Sequence, residues 1–140
     1  IQVGRMLADT GLDALEISGG LLTGGRMNPS RMVKSEEQEA YFKNEARAFR
    51  EEVDIPLILV GGIRSFETAE KLLDDGTVDF ISMSRPFIRE PDLVNRWKSG
   101  DRRKALCKSD NACFKPGMEG KGIYCVTAEV EKAKSEDSCT

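Results

Sequence analysis

The feature that most constrains the fold is the run Ile55-Pro56-Leu57-Ile58-Leu59-Val60, almost entirely apolar and closed by Gly61-Gly62. It is too short for a helix and lacks polar alternation, so it reads as a strand covered on both faces, as in parallel sheets. Parallel neighbours need crossover connections, usually helices. The sequence supplies them on either side. Upstream, Ser35 followed by Glu36, Glu37 and Gln38 predicts a helix start, with a hydroxyl cap and acids at the positive end of the dipole. Phe42, Ala46, Phe49 and Val53 then fall on one helical face. Downstream, Phe66, Ala69, Leu72 and Leu73 mark a second amphipathic helix that stops at Gly76.

The same alternation extends in both directions. Residues 2 to 9 read as the end of a helix stopped by Gly11, and residues 13 to 17 as a short strand ending in Ser18-Gly19-Gly20. Residues 21 to 34, with Gly24, Gly25 and Pro29, read as a long loop. Val78 to Met83 form the next strand, followed by Ser84-Arg85-Pro86 and a third helix near Pro91 with Leu93, Val94 and Trp97 inward. Trp97 and Phe87 are expected in the core. Strand and helix in strict alternation predict an α/β protein with a parallel sheet. An open doubly wound sheet and a slice of a closed barrel both satisfy the pattern. A complete (β/α)8 barrel takes roughly 250 residues, so at 140 residues the barrel reading is of a part. The opening inside a helix at Ile1, with no signal peptide ahead of it, fits that expectation.

Composition narrows the function. With 21 basic and 24 acidic residues the net charge is −3, which argues against a nucleic-acid binder. Mean hydropathy is −0.41, and no apolar run approaches the roughly 18 residues of a membrane span. The absence of histidine removes the commonest general acid–base group and the commonest zinc ligand. All four cysteines follow residue 106. That clustering reads as a cytoplasmic protein with one special C-terminal segment rather than a secreted disulfide scaffold.

Ligands of parallel α/β folds bind at the C-terminal ends of the strands. Three such ends are visible, at Ser18-Gly19-Gly20, at Gly61-Gly62-Ile63-Arg64 and at Ser84-Arg85. Glycines there let the backbone approach an anion, a following helix start offers N–H groups, and Arg85 adds paired donors and a fixed charge. A Gly-Gly after a strand is often only a tight turn, and a single arginine only a surface residue. Their placement after consecutive strands favours a phosphate site. Asp13, Glu16 and Asp79 read as structurally paired carboxylates, and Tyr41 as a packing residue on a helix away from the strand ends. Cys107, Cys113 and Cys125 contain no Cys-x-x-Cys spacing, so the segment is expected to bind no metal. Residues 127 to 140 read as a polar, frayed tail.

Three stretches carry a family resemblance: Ile55 to Arg64, Gly76 to Ile88 with its Ser84-Arg85-Pro86-Phe87-Ile88 run, and Pro91-Asp92-Leu93. Together they resemble the C-terminal barrel strands of the NADH:flavin oxidoreductase, or old yellow enzyme, family. The Ser18-Gly19-Gly20 end, Glu39-Ala40-Tyr41-Phe42 and the cysteine segment, which is similar to that of dienoyl-CoA-reductase-like members, fit as well. The resemblance covers about residues 2 to 126. It implies a partial (β/α)8 TIM barrel made of strands six to eight over residues 1–100, a cysteine-containing extension over 101–126 and a polar tail over 127–140. It also implies FMN as cofactor, with Gly61 and Gly62 donating backbone N–H groups to the FMN phosphate and Ser84 and Arg85 completing the site. The family passes hydride from NAD(P)H through FMN to an activated alkene or a similar small-molecule acceptor. The first five strands, which in the family hold the flavin ring and the catalytic groups, have no counterpart here, so this piece alone is expected to be inactive, with its catalytic residues upstream of residue 1. Asp110 stands where cluster-binding relatives have a cysteine, which puts an iron–sulfur cluster in doubt. A phosphosugar-binding barrel isomerase or aldolase, and a non-catalytic half-barrel that only binds or assembles, are the competing readings; under any of them a homo-oligomer would cover the apolar strand edge left by the missing half.

Overall fold

The structure, a computed structural model, describes residues 1–20 and 30–137. Most of the expected loop, residues 21–29, and Cys139 lie outside the described residues. Among the described residues the elements run α1 (Gln2–Asp9), β1 (Leu15–Ile17), a 3-10 turn (Glu36–Gln38), α2 (Lys43–Arg50), β2 (Leu57–Val60), α3 (Phe66–Asp74), β3 (Phe80–Ser82), α4 (Arg85–Arg89), α5 (Leu93–Lys98), α6 (Phe114–Met118) and α7 (Val126–Asp137). No helix among them is long and apolar enough to cross a membrane.

The three strands form one parallel sheet in the order β1-β2-β3, with Leu15, Glu16 and Ile17 opposite Leu57, Ile58 and Leu59, and Ile58, Leu59 and Val60 opposite Phe80, Ile81 and Ser82. One face is closed. Leu57 and Leu59 are fully buried and pack with Ile17, Ala46, Val53, Ala69, Leu72 and Val78. The other face differs from the expectation of a strand covered on both sides. Ile58 and Val60 are half-buried, Glu16 is exposed, and Phe80 in register with Ile58 is 56% exposed. The continuous apolar run thus serves two faces of unequal burial.

Asp79 ties the layer together at its N-terminal edge. Its carboxylate accepts the Leu57 N–H at 2.8 Å and a hydrogen bond from the Arg50 guanidinium at the end of α2, while its own N–H donates to the Leu57 carbonyl at 2.9 Å. The Arg50 hydrogen bond, followed by that from the Leu57 amide, holds the Asp79 carboxyl below the usual carboxylate range. Asp79 is a structural carboxylate, as expected.

Four local expectations are corrected. The helix predicted from Ser35 is a three-residue 3-10 turn, and α2 begins only at Lys43 because Ala40 takes a left-handed backbone (φ +50). Leu73 and Val94 are 42% and 39% exposed rather than inward. A short helix, α4, follows β3 directly, with Pro86 in its first turn, a position whose missing N–H has no helical partner in any case. Residues 127–137 of the expected frayed tail join Val126 in α7, none of whose residues is buried. Its anchors are polar: Glu131 accepts from Arg89 at 2.6 Å and from Lys108, and Thr127 donates to Asp110 at 2.6 Å. Leu93, Trp97 and Ala105 make a second small core with Phe66, Met83 and Phe87 at its margin. Leu59→Ala, which empties a fully buried site on the closed face, is expected to lower unfolding free energy by about 2–5 kcal/mol in urea titrations. A loss under about 1 kcal/mol would contradict the core assignment.

Candidate functional site at the strand ends

β2 ends in Gly61 (φ +144) and Gly62 (φ +74), both in backbone conformations that favour glycine. The turn is also tight. A Cβ added at Gly62 would lie 2.6 Å from Val33 Cγ2 and 2.7 Å from Tyr41 Cε1. Beside this turn opens a cavity of about 270 Å³, lined by Gly62 just after β2, by Ser82, Ser84 and Arg85 at the end of β3 and the start of α4, and by Tyr41 and Ser109. Of the residues expected at a phosphate site, Gly62, Ser84 and Arg85 therefore share one cavity. Gly61 sits one residue back, buried beneath Tyr41 and Phe42, its carbonyl accepting the Tyr41 N–H at 3.1 Å. Asp13 and Glu16 are exposed and do not line the cavity.

Tyr41 is the main correction. It belongs to the turn before α2, not to a helix, and its ring lies at the strand end against the glycine pair. It meets Phe42 edge-on, with ring centroids 4.8 Å apart, and the Arg31 guanidinium stands 4.9 Å from the Tyr41 ring centre and 5.2 Å from that of Phe42. Sequence reasoning missed Arg31 because it sits in an irregular segment with no periodicity. Its one legible sign is a cation closely following a glycine-rich stretch.

The N–H groups ahead of α3 are already used. Glu39 is 1% exposed, and its carboxylate accepts from Arg64 N at 2.8 Å, Ser65 N at 2.9 Å and Ser65 Oγ at 2.8 Å. The charges of Arg64 and Lys104 lie 3.8 and 3.6 Å from Glu39 Oε1. The two amides between the Gly-Gly turn and α3 are thus taken by a protein carboxylate. Arg85 is 8% exposed, and its Nη1 donates to Asn111 Oδ1 at 2.6 Å and to the Ser109 carbonyl at 3.4 Å.

Behind Arg85 lie the cysteines. Cys107 and Cys113 are buried, Cys125 is half-buried, and all three thiols are free. The gap they line with Asp110, Arg85 and Arg89 measures about 10 Å³, the space of roughly one water. The donors are engaged elsewhere. Asp110 Oδ1 accepts the Ala112 N–H at 3.1 Å and Oδ2 the Thr127 hydroxyl at 2.6 Å, and the Thr127 bond holds the Asp110 carboxyl below its ordinary range. Cys107 Sγ accepts the Ser109 N–H at 3.4 Å and Cys125 Sγ an Arg89 N–H at 3.8 Å. Burial, reinforced by Cys107, pushes the Cys113 thiol up. Among the described residues, no three Cys, Asp or Glu side chains converge as a metal-binding set.

A parallel α/β layer with a concave site at its strand ends defines the class. The particular family follows from comparison. The chain belongs to the NADH:flavin oxidoreductase / NADH oxidase family, whose model matches residues 5–104. It is 32% identical over 134 residues to the 4,4'-dithiodibutanoate disulfide reductase of Rhodococcus erythropolis, covering 76% of this chain and 33% of that protein. A shorter stretch of 44 residues, 31% of this chain and 17% of the relative, is 50% identical to the imidazole glycerol phosphate synthase subunit HisF of Pasteurella multocida. Among solved structures it is similar to the old yellow enzyme homologue from Zymomonas mobilis, at TM-score 0.50 and 28% identity over 77% of this chain and 27% of that one. The chain spans a third or less of the length of each of these proteins.

Gly62→Ala and Gly76→Ala separate backbone strain from crowding. Both positions have positive φ, but a Cβ at Gly76 meets nothing within 4 Å. Gly76→Ala is expected to cost about 1–3 kcal/mol, and Gly62→Ala clearly more. Equal losses in thermal or urea unfolding would show that the turn is not crowded by Val33 and Tyr41.

Proposed function

We propose that residues 1–100 are the last three βα units, strands six to eight, of an FMN-binding (β/α)8 barrel, followed by a cysteine-containing extension over 101–126 and a polar segment over 127–140. The whole protein is read as an NAD(P)H-dependent flavin oxidoreductase acting on a small-molecule acceptor such as an activated alkene. The observation that carries this reading is the convergence of Gly62, Ser84 and Arg85 on one cavity at the ends of consecutive parallel strands.

The residues present fit a phosphate group. The Gly61-Gly62 turn has no Cβ where one would collide, so backbone N–H groups there can approach phosphate oxygens closely. Ser84 offers a hydroxyl from the exposed start of α4. Arg85 brings a cation into the same cavity, where exclusion of water strengthens its pull on an anion. When bound, FMN accepts hydride from the nicotinamide and delivers it to the acceptor. The part played by these residues is to hold the phosphate and thereby fix the cofactor at the mouth of the barrel. The catalytic groups are proposed to lie in the portion of the protein that precedes this chain.

An iron–sulfur cluster does not fit the cysteine segment. A gap of about 10 Å³ and an aspartate committed to Thr127 and Ala112 support a segment held by hydrogen bonds. Anaerobically purified protein is therefore expected to contain iron and sulfide far below stoichiometry. Several of each per chain would overturn this reading.

A phosphosugar-binding barrel remains the second reading, favoured by the 44-residue likeness to a protein whose name carries a glycerol phosphate. Arg85→Ala in the native-length protein distinguishes the two. Flavin titration is expected to show FMN binding weakened by about 1.5–3 kcal/mol, the range of a charged hydrogen bond. A colourless protein that binds sugar phosphates and not FMN would favour the alternative.

A further inference from the structure

Arg85 is oriented from outside the sheet. Its Nη1 donates to Asn111 Oδ1 at 2.6 Å, and the Asn111 amide is itself fixed from the other side: Nδ2 donates to the Ser30 carbonyl at 2.8 Å and Oδ1 accepts the Ser30 hydroxyl at 3.0 Å. Three distant segments meet in this one amide: the loop after β1, the start of α4 and the C-terminal extension. The extension adopts an unusual backbone to reach it. Ser109 (φ +54) and Asn111 (φ +62) are both left-handed non-glycine residues, a conformation that persists where surrounding contacts fix it. Asn111 is also among the residues that tolerate that region best. The Ser109 carbonyl, on a residue 2% exposed, faces the same guanidinium at 3.4 Å.

The chemistry of this contact is selective. The side-chain amide and the main-chain carbonyl are neutral acceptors, and among the described residues no carboxylate stands within ion-pair distance of Arg85. One guanidinium nitrogen is held in place while the positive charge stays uncompensated by any described carboxylate. That is the arrangement an anion-binding arginine needs, since a carboxylate partner would orient the group and cancel its field together.

We propose that Asn111 is a positioning residue for the phosphate arginine, so that the cysteine-containing extension sets the cofactor's phosphate affinity without touching the cofactor. The inference rests on the phosphate reading of Arg85. It makes the extension a working part of the flavin site: whatever displaces the Ser109–Asn111 turn releases Arg85.

The test compares FMN with riboflavin, which lacks the phosphate, in titrations of the flavin-free native-length protein. Arg85→Ala, Asn111→Gly and their double variant are measured beside the unmodified protein. Glycine at 111 removes the amide while keeping the left-handed backbone free of strain. Asn111→Gly is expected to weaken FMN roughly tenfold, to leave riboflavin within a factor of about two, and to add little to Arg85→Ala, since partners in one network are not additive. Asn111→Asp retains the acceptor but adds a negative charge, so it is expected to lower FMN affinity with riboflavin unchanged. It keeps the question decidable if the glycine variant does not fold. An Arg85→Ala protein with an unaltered FMN-to-riboflavin ratio would sink the phosphate reading itself. A lowered ratio in Arg85→Ala with FMN binding unaffected by Asn111→Gly, or by Asn111→Asp, would overturn the positioning role alone. Equal loss of both flavins in the Asn111 variants would reduce the residue to a structural one.

Discussion

The carboxylate of Glu39 is the interaction on which the remainder of the site depends. An isolated buried carboxylate is strongly unfavourable, and this one is stabilised by three hydrogen bonds from Arg64 and Ser65 and by the nearby charges of Arg64 and Lys104. Satisfying it dictates the path of the chain on both sides. Residues 35–42 cannot continue as a helix, because Glu39 must turn inward beneath the end of β2. Ala40 takes up the bend, and the next residue, Tyr41, is laid across the Gly61-Gly62 turn. On the other side, Arg64 is held so that its Nη1 donates to the Cys107 carbonyl at 2.8 Å while its own carbonyl accepts the Ala105 N–H at 2.9 Å. One carboxylate thus joins the turn that shapes the cavity to the segment that carries the cysteines.

Arg85 occupies the boundary between those two regions, lining both the cavity at the strand ends and the small gap among the cysteines. That position links the two halves of the functional reading. On the side of β2 and β3 the residue borders the concave site. The face toward the extension is fixed by neutral oxygens from Ser109 and Asn111. Beyond it, Glu131 of α7 reaches back to Arg89 of α4, while Lys108 on Glu131 and Thr127 on Asp110 tie the C-terminal segment to itself.

What the sequence made legible was whatever depends on short-range pattern. The apolar run at 55–60, the glycine pair after it and the 3.6-residue spacing of Ala46, Val53, Ala69 and Leu72 each carry their own physics, and the strands and their parallel order follow from them. Gly62, Ser84 and Arg85 were legible for the same reason, since each sits at the end of a strand that could be found. The misses share a cause as well. Ser35-Glu36-Glu37-Gln38 has sound local helix-start chemistry, but Glu39 has a stronger tertiary demand, and tertiary contacts override weak propensities. Tyr41 reaches the cavity through that same non-local bend, which also sets its ring against Arg31. α7 has no buried apolar face, and its anchors Arg89, Lys108 and Asp110 lie elsewhere in the chain, so no periodicity announced it. Asn111 looks like any polar loop residue until the fold brings Ser30 and Arg85 to its two sides.

Amide hydrogen exchange in Glu39→Gln tests the central claim most directly. Glutamine keeps the shape and one acceptor, but removes the charge that faces Arg64 and Lys104 and sets an amide donor against N–H groups. If Glu39 joins the strand-end turn to the extension, protection is expected to fall together at Arg64 and Ser65 and at the Ala105 amide, with the β1-β2-β3 ladder at Leu57–Val60 retained. Faster exchange confined to Arg64 and Ser65, with Ala105 as protected as in the unmodified protein, would contradict it.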